Sequence, residues 1–342
     1  MAEPGSREWL IYRGVGEPHD GIRALPKPPP WRDFDGRPLV AAAPDADSTS
    51  TRRLGAFRHI AEMHRPSAEE LEIINAALYL RRPLLVTGSP GTGKSTLAHA
   101  VAHELRLGRV LHWPIVSRTT LGDGLYHYDA IARLQDTQIA ASGRAAGATP
   151  GTAPGGIGSY LRLGPLGTAL LPTPVPRVLL IDELDKSDID LPNDLLNVLE
   201  EGEFTIPELE RIAEREPEVE VLTDDGQQVS IRDGRVRCHA FPFVVLTSNG
   251  ERDFPAPLLR RCIHLELSRP DPERLATVVR AHLGDELARV GEDLISRFFD
   301  RSRTEQLATD QLLNAIYLTH HAEPLTRDRL ADMLIRRLDR PR

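Results

Sequence analysis

The residues with the clearest chemical potential are those at positions 88–95, GSPGTGKS, which fit the pattern G-x-x-x-x-G-K-[ST]. Glycines let the backbone curl so that its N–H groups converge on phosphate oxygens, and the start of the next helix adds positive potential. In this pattern Lys94 reaches the β- and γ-phosphates and the Ser95 hydroxyl ligates Mg²⁺. The predicted nucleotide-binding residues are Gly88, Ser89, Pro90, Gly91, Thr92, Gly93, Lys94, Ser95 and Thr96.

A second candidate is the pair Asp182–Glu183, which ends the apolar run RVLLIDE. The first carboxylate can hold Mg²⁺ together with Ser95, and the second can polarise a water in line with the γ-phosphate. A nucleotide switch needs the first carboxylate but not the second, so the pair favours hydrolysis. Taken alone, the pair could also be a solvated strand end.

The elements that must position these residues alternate along the chain. Short apolar runs lie at 83–88, 109–116, 177–183, 241–249 and 262–267, and helix-forming segments separate them. This pattern is typical of an α/β protein with a parallel five-stranded sheet flanked by helices. After residue 270 the apolar runs give way to four amphipathic stretches, the last at 326–338, which predict a small all-α helical lid domain.

These changes of pattern predict three regions. Residues 1–52 are a Pro/Gly-rich irregular arm, whose two tryptophans suggest that it packs on its own domain or, as the alternative, on a neighbouring subunit. Residues 53–269 form the α/β domain, with insertions at 117–176 and 207–240, and residues 270–342 form the lid. Within the insertions, 140–159 is expected to be a flexible exposed loop, and 219–238 a hairpin that projects from the sheet.

The amino-acid composition indicates which class of binding partner and which cellular compartment to expect. The 342 residues carry a net charge of −8, which argues against charge-driven binding to nucleic acid or an anionic membrane and favours a protein partner. The two cysteines, Cys238 and Cys262, imply no disulfide framework and are expected to be inert core thiols in a cytoplasmic protein. No stretch is apolar enough for a membrane span.

In its order of motifs, GSPGTGKS, LLIDELDKSD and VVLTSNGERDFPAPLLRRC followed by helices, the chain resembles AAA+ ATPases, and among them the MoxR-like group. The resemblance implies a Walker A loop at 88–95, a Walker B strand ending at Asp182 and Glu183, and a polar sensor at Asn249 that orients the attacking water. An Asn that only begins a turn is the alternative for Asn249.

The resemblance also implies an arginine finger in FPAPLLRRC, where Arg261 is favoured and Arg260 is the second choice or a second sensor contact. The alternative for both is a solvated basic helix end. At the place of the family's sensor-2 arginine the chain has Thr309, Asp310 and Gln311, so that the role is lost or passes to another basic residue. The candidates are Arg269, Arg274 and Arg280.

The function that the resemblance implies is Mg²⁺-dependent ATP hydrolysis in an oligomeric, hexameric ring, with Arg261 completing the next subunit's site. Such proteins are chaperone-like and remodel or activate protein partners, often beside von Willebrand A domain proteins. The alternatives are a nucleotide-controlled assembly scaffold or switch in a bacterial conflict or signalling system, and a McrB-like motor on nucleic acid. Residues 121–134 are a candidate partner contact or a variable surface loop. Nothing in the loop at 88–95 reads the base, so GTP stays an alternative to ATP.

Overall fold

The computed structural model describes residues 9–40, 66–145, 156–269, 271–302, 307, 309–321 and 334–335. Their strands are β1 Leu84–Thr87, β2 Leu111–Pro114, β3 Tyr126–Tyr128, β4 Leu161–Leu163, β5 Val178–Asp182, β6 Glu203–Thr205, β7 Glu218–Leu222, β8 Gln228–Arg232, β9 Arg235–Arg237, β10 Phe243–Ser248 and β11 Ile263–Glu266. Their α-helices are α1 Ala68–Leu80, α2 Lys94–Glu104, α3 Leu121–Leu125, α4 Ala130–Ala145, α5 Pro165–Ala169, α6 Asp190–Glu201, α7 Pro207–Glu210, α8 Ala256–Arg261, α9 Pro272–Val290, α10 Glu292–Ser302 and α11 Thr309–His321.

The central sheet has the order β11-β1-β10-β5-β2, and every neighbouring pair is parallel. This confirms the predicted five-stranded parallel sheet, and its strands are the five apolar runs of the sequence. Alternate residues face opposite sides: Leu179 and Ile181 of β5 join one hydrophobic cluster, whereas Val178 and Leu180 join the other. Because both faces are covered, the strands read as continuous apolar runs. Their carboxyl ends meet at one edge, where the candidate site lies.

A second, six-stranded sheet has the order β3-β4-β7-β8-β9-β6 and is built from the insertions. The hairpin predicted at 219–238 is present as the antiparallel pair β7–β8. The prediction that it projects from the central sheet is wrong. Its turn docks at the beginning of β5, where Arg177 Nη2 lies 2.5 Å from Asp225 Oδ2 and both side chains are almost completely buried. A buried ion pair at the turn holds the hairpin against the body of the protein.

The loop predicted at 140–159 is only partly described. Residues 140–145 continue α4, residues 146–155 lie outside the described part, and Ile157 begins a 3-10 turn with its side chain buried. A Cβ on Gly158 would lie 1.9 Å from the carbonyl oxygen of Glu220, so only glycine permits this close packing against β7. The expectation of an exposed loop is therefore wrong for Ile157 and Gly158, which are buried, whereas Gly156 and Ser159 are exposed.

Residues 9–40 form what we call the N-terminal strap, an irregular segment with short 3-10 turns at Gly21–Ala24 and Pro30–Arg32. It lies against the α/β body as expected, but through the buried Tyr12 and Phe34, whereas the two tryptophans are exposed. Asn75 of α1 accepts hydrogen bonds from the backbone N–H groups of Ile11 and Tyr12, at 2.7 and 3.0 Å. The carboxylate of Glu104, at the end of α2, is fully buried and accepts from three further strap N–H groups. Each buried acceptor is thus satisfied by strap backbone.

Helices α9, α10 and α11 pack around their own hydrophobic cluster, which includes Leu275, Val279, Phe298 and Leu312. They correspond to three of the four predicted lid helices. The fourth, at 326–338, lies outside the described residues except for positions 334–335. None of the helices in the described ranges has the length and apolar character needed to cross a membrane.

Candidate functional site

The turn between β1 and α2 forms the phosphate-binding loop expected at 88–95. Gly93 immediately precedes α2 with φ of 88°, a left-handed conformation that favours glycine, and a Cβ there would find no described atom within 4 Å. Glycine also leaves the first N–H groups of α2 without a side-chain cap, so they remain available to an anion. The loop therefore opens onto a space that suits a phosphate group.

Lys94 lies within this loop. Its Nζ donates to the carbonyl oxygens of Gly88 and Ser89, at 2.8 and 2.9 Å, so the ammonium group is held against the turn. Burial lowers the pKa of Lys94, and the nearby carboxylates of Asp185 and Asp182 oppose that effect. A cation fixed in this position can bind phosphate oxygens without first being ordered.

Asp182 is the most heavily bonded carboxylate of the site. Its Oδ1 accepts from the hydroxyls of Ser95 and Thr247, each at 2.7 Å, and its Oδ2 lies 3.2 Å from His112 Nε2. Burial alone would raise the pKa of Asp182, but the hydrogen bonds with His112, Ser95 and Thr247 outweigh it and hold the pKa well below its ordinary value. Asp182 is consequently a carboxylate at neutral pH.

Glu183 follows in a left-handed conformation, with φ of 61°. Such a backbone costs a non-glycine residue roughly 1–2 kcal/mol and persists only where neighbours fix it. Here the N–H of Glu183 donates to Thr247 Oγ1 at 2.8 Å, and its carbonyl accepts from the N–H of Lys186 at 2.9 Å. Its carboxylate Oε2 accepts from Lys186 Nζ at 2.7 Å. That hydrogen bond raises the pKa of Lys186.

Asn249 comes directly after β10 and lines the same cleft as the loop, Asp182 and Glu183. Its backbone N–H donates to Asp185 Oδ2 at 2.9 Å, and the N–H of Glu251 donates to the same oxygen at 3.1 Å. Asp185 is almost completely buried. It thereby fixes the turn that carries Asn249, a residue of the cleft lining.

The cleft has a volume of about 360 Å³, and the lid closes one side of it. Thr309 Oγ1 donates to the carbonyl oxygen of Gly91 at 2.7 Å, so α11 contacts the loop directly. The lid residues that line the cleft are Arg274, Val278, His282, Thr309, Asp310 and Leu313. Burial lowers the pKa of His282. This favours the neutral imidazole at neutral pH.

The three basic candidates for the missing sensor-2 role lie in different places. Arg274 lines the cleft. Arg269 donates through Nη1 to the carbonyl oxygen of Ser302, and Arg280 pairs with Asp285 at 3.1 Å. Gln311 is not among the described residues that line the cleft. Of the alternatives that the sequence left open, the geometry therefore favours Arg274.

The two candidate finger arginines lie elsewhere. Neither Arg260 nor Arg261 is among the described residues that line the cleft of their own chain. Arg261 ends α8, its side chain is 44% exposed, and its Nε lies 3.0 Å from Glu200 Oε2. The backbone carbonyl of Arg260 accepts from Arg82 Nη1 at 3.3 Å. Arg261 therefore lies at an exposed helix end, outside the lining of its own cleft.

The residues present fit both a nucleoside triphosphate and Mg²⁺. The uncapped start of α2, the open space at Gly93 and the ammonium of Lys94 suit the phosphates. Asp182, anionic because of its low pKa, and the adjoining Ser95 hydroxyl are the hard oxygen donors that Mg²⁺ prefers. Within the described ranges no cluster of three or more His, Cys, Asp or Glu forms another metal site.

Thr247, His112 and Asp185 were not among the residues selected from the sequence. Thr247 lies beside Asp182 because β10 pairs with β5 in the register Leu246 to Ile181. That pairing joins residues about sixty positions apart, so the local sequence carries no signal for it. Residues 121–134 form α3, β3 and the start of α4, away from the residues that line the cleft.

Comparison with known proteins agrees with this geometry. The model of the AAA domain (dynein-related subfamily) matches residues 83–262, more than half of the chain. Among solved structures, a mutant of RuvB from Thermotoga maritima matches with 16% identity and a TM-score of 0.39, over 77% of this chain and 66% of that one. Curated protein sequences gave no match. The chain belongs to the dynein-related subfamily of AAA domains, within the AAA+ proteins.

Proposed function

We propose that this protein is a Mg²⁺-dependent ATPase whose site is completed by a second subunit. One observation carries the proposal: the phosphate loop, Asp182, Glu183 and Asn249 share one cleft, whereas Arg261 lies outside it. A nucleotide switch needs only the loop and Asp182 to hold its ligand. Glu183 and Asn249 add a base and an amide at the place where a water would attack the γ-phosphate.

The residues of the chain divide the work of hydrolysis. The loop N–H groups and Lys94 bind and orient the triphosphate, and Ser95 and Asp182 would hold Mg²⁺. When bound, Mg²⁺ neutralises charge on the phosphate oxygens. Glu183 accepts the proton of the attacking water, and Asn249 orients that water by hydrogen bonding. Glu183 must first release Lys186, whose side chain is 41% exposed and can move into solvent.

Arg261 supplies the argument for an oligomer. A guanidinium that reaches a neighbour's γ-phosphate stabilises the charge that develops during transfer, and such contacts have large effects on rate. Arg261 is half-exposed and lies outside its own cleft. In a ring where α8 of each subunit faces the cleft of the next subunit, Arg261 would reach that neighbouring cleft. We propose a hexameric ring of the MoxR-like kind.

Mixing two inactive variants tests the shared site. Arg261→Ala keeps its own cleft but lacks the finger, whereas Glu183→Gln keeps the finger but lacks the base. Each alone should be inactive, and an equal mixture should regain about a quarter of wild-type turnover, because about a quarter of the interfaces then pair an intact cleft with an intact finger.

Arg260→Ala is the matched control, because Arg260 adjoins Arg261 on the same short helix. It should keep wild-type turnover if Arg261 is the finger. Loss of activity in Arg260→Ala together with normal activity in Arg261→Ala would reassign the role to Arg260. Normal turnover in both variants would refute the shared site.

We further propose that the ATPase remodels or activates a protein partner, which is the role that the MoxR resemblance implies. The net charge of −8 disfavours nucleic acid as the partner. Glu183→Gln protein held with ATP should retain a protein client, among which von Willebrand A domain proteins are expected. Stable ATP binding by the wild type without turnover would instead support the assembly scaffold.

A further inference from the structure

Glu200, in the last turn of α6, binds two arginines that lie far apart in the sequence. Its Oε2 accepts from Arg261 Nε at 3.0 Å, and its backbone carbonyl accepts from Arg32 Nη1, also at 3.0 Å. Arg261 belongs to α8, and Arg32 belongs to the N-terminal strap. Glu200 therefore connects the strap to the candidate finger through two hydrogen bonds.

The contacts of Arg261 leave part of its guanidinium available. Nε donates to Glu200, and Nη1 donates to the carbonyl oxygen of Pro257 at 3.3 Å. No residue of the described ranges binds Nη2 in this way. A long side chain that is held at two of its nitrogens keeps few rotamers, so less motion is lost when Nη2 binds a phosphate. The ion pair with Glu200 is suited to orient the finger rather than to stabilise the fold, since exposed pairs contribute little to stability.

Arg32 fixes the other side of Glu200. Its side chain is buried, Nη1 donates to the carbonyl oxygens of Leu199 and Glu200, and Nε donates to that of Arg81 at 3.1 Å. Its guanidinium also lies 4.4 Å from the centre of the Phe241 ring. The last carbonyls of a helix have no partner within the helix and carry partial negative charge. A buried cation that binds them therefore holds the end of α6 in one position.

We propose that Glu200 is a positioning residue that orients Arg261 for the neighbouring site, and that Arg32 of the N-terminal strap holds Glu200 in place. The inference rests on the proposed function, because it requires Arg261 to act on another subunit. The inference further states that the strap, which does not line the cleft, affects ATP turnover through α6.

Glu200→Ala tests the first contact, and Glu201→Ala is the matched control, since Glu201 is the exposed acidic neighbour on the same helix. Glu200→Ala should lower kcat for ATP about five- to tenfold with KM unchanged, because its own cleft is intact. Glu201→Ala should keep wild-type values. Wild-type kcat in Glu200→Ala would overturn the inference.

Mixing separates a misplaced finger from a damaged subunit. Glu183→Gln protein retains both Glu200 and Arg261, so it can serve the intact clefts of Glu200→Ala subunits. At the same concentration of Glu200→Ala subunits, the equal mixture should therefore turn over ATP faster than Glu200→Ala alone. No gain on mixing, under conditions where Arg261→Ala is rescued by the same partner, would show that Glu200 acts on its own subunit and would overturn the inference.

The strap is tested by Arg32→Lys, which keeps the charge but lacks the planar fork. It should lower kcat about threefold, and in combination with Glu200→Ala it should add nothing further, because the two residues act in series. Trp31→Ala is the control, since Trp31 is 70% exposed beside Arg32. Additive losses, or wild-type kcat in Arg32→Lys, would remove the strap from the proposal.

The two proposals fail in different ways. Full activity of Arg261→Ala would refute the shared site and, with it, any positioning of Arg261. If the Arg261→Ala variant is nearly inactive and the Glu200→Ala variant is fully active, the shared site is supported and only the role of Glu200 is refuted.

Discussion

Replacing Thr247 by valine should damage both the stability and the activity of the site. The Thr247 hydroxyl donates to Asp182 Oδ1 at 2.7 Å and accepts from the N–H of Glu183 at 2.8 Å. The side chain is 1% exposed, so water does not replace it readily. Valine has nearly the same shape, and its effect will therefore report the two hydrogen bonds rather than a cavity.

The expected magnitude follows from those two bonds. A hydrogen bond to a charged group contributes about 1.5–3 kcal/mol, and a buried N–H without a partner costs about 1–3 kcal/mol. Because Asp182 keeps Ser95 and His112 as partners, we expect the free energy of unfolding to fall by about 2–4 kcal/mol. At roughly 2 °C for each kcal/mol in a protein of this size, Tm should decrease by about 4–8 °C.

Activity should fall because the N–H bond fixes the left-handed backbone of Glu183. A loss of about 1.4 kcal/mol in transition-state stabilisation corresponds to a tenfold lower kcat, and we expect at least about that. The assays are thermal unfolding by circular dichroism and phosphate release at saturating ATP. Thr247→Ser keeps the hydroxyl and should lose less than half as much of either quantity. A valine variant with wild-type Tm and kcat, or a serine variant as damaged as valine, would refute this reasoning.

The remaining predictions concern other parts of the molecule. Arg177→Met should lower the free energy of unfolding by about 3–5 kcal/mol, because Asp225 is left buried and unpaired; the double variant with Asp225→Leu should recover part of that loss in urea titrations. Burial raises the pKa of both cysteine thiols to about 12, so iodoacetamide at pH 8 should modify them only after unfolding in urea. Arg274→Ala should raise KM for ATP or lower kcat at least about threefold, because Arg274 lines the cleft. Arg280→Ala is the control and should keep wild-type kinetics, because Arg280 pairs with Asp285. Equal kinetics of the two variants would remove Arg274 from the site.

The sequence was sufficient for the central sheet and the phosphate loop because both depend on local patterns. Strands that are buried on both faces read as apolar runs, and the loop needs its glycines and Lys94 in fixed positions. The start of α1 is also encoded locally, since Ser67 and Glu70 form both hydrogen bonds of a capping box.

The second sheet and the contacts of the strap depend on partners distant in sequence. β4 has only three residues and pairs with β7 through one residue pair, Arg162 with Leu222. The sequence of neither strand therefore indicates the other as its partner. Arg32 contacts carbonyl oxygens more than 160 residues away, and backbone carbonyls are identical for every residue type. Partners of this kind leave no pattern in the sequence, and only the folded chain identifies them.

The central claim is that the cleft hydrolyses ATP with Glu183 as the base. The most direct measurement compares ATP binding with phosphate release for the wild type and Glu183→Gln in the presence of Mg²⁺, with Asp188→Asn as the control at an exposed acidic position nearby. We expect Glu183→Gln to bind ATP as the wild type does and to release phosphate at least about 100-fold more slowly, and Asp188→Asn to match the wild type in both. Phosphate release by Glu183→Gln at the wild-type rate would contradict the account.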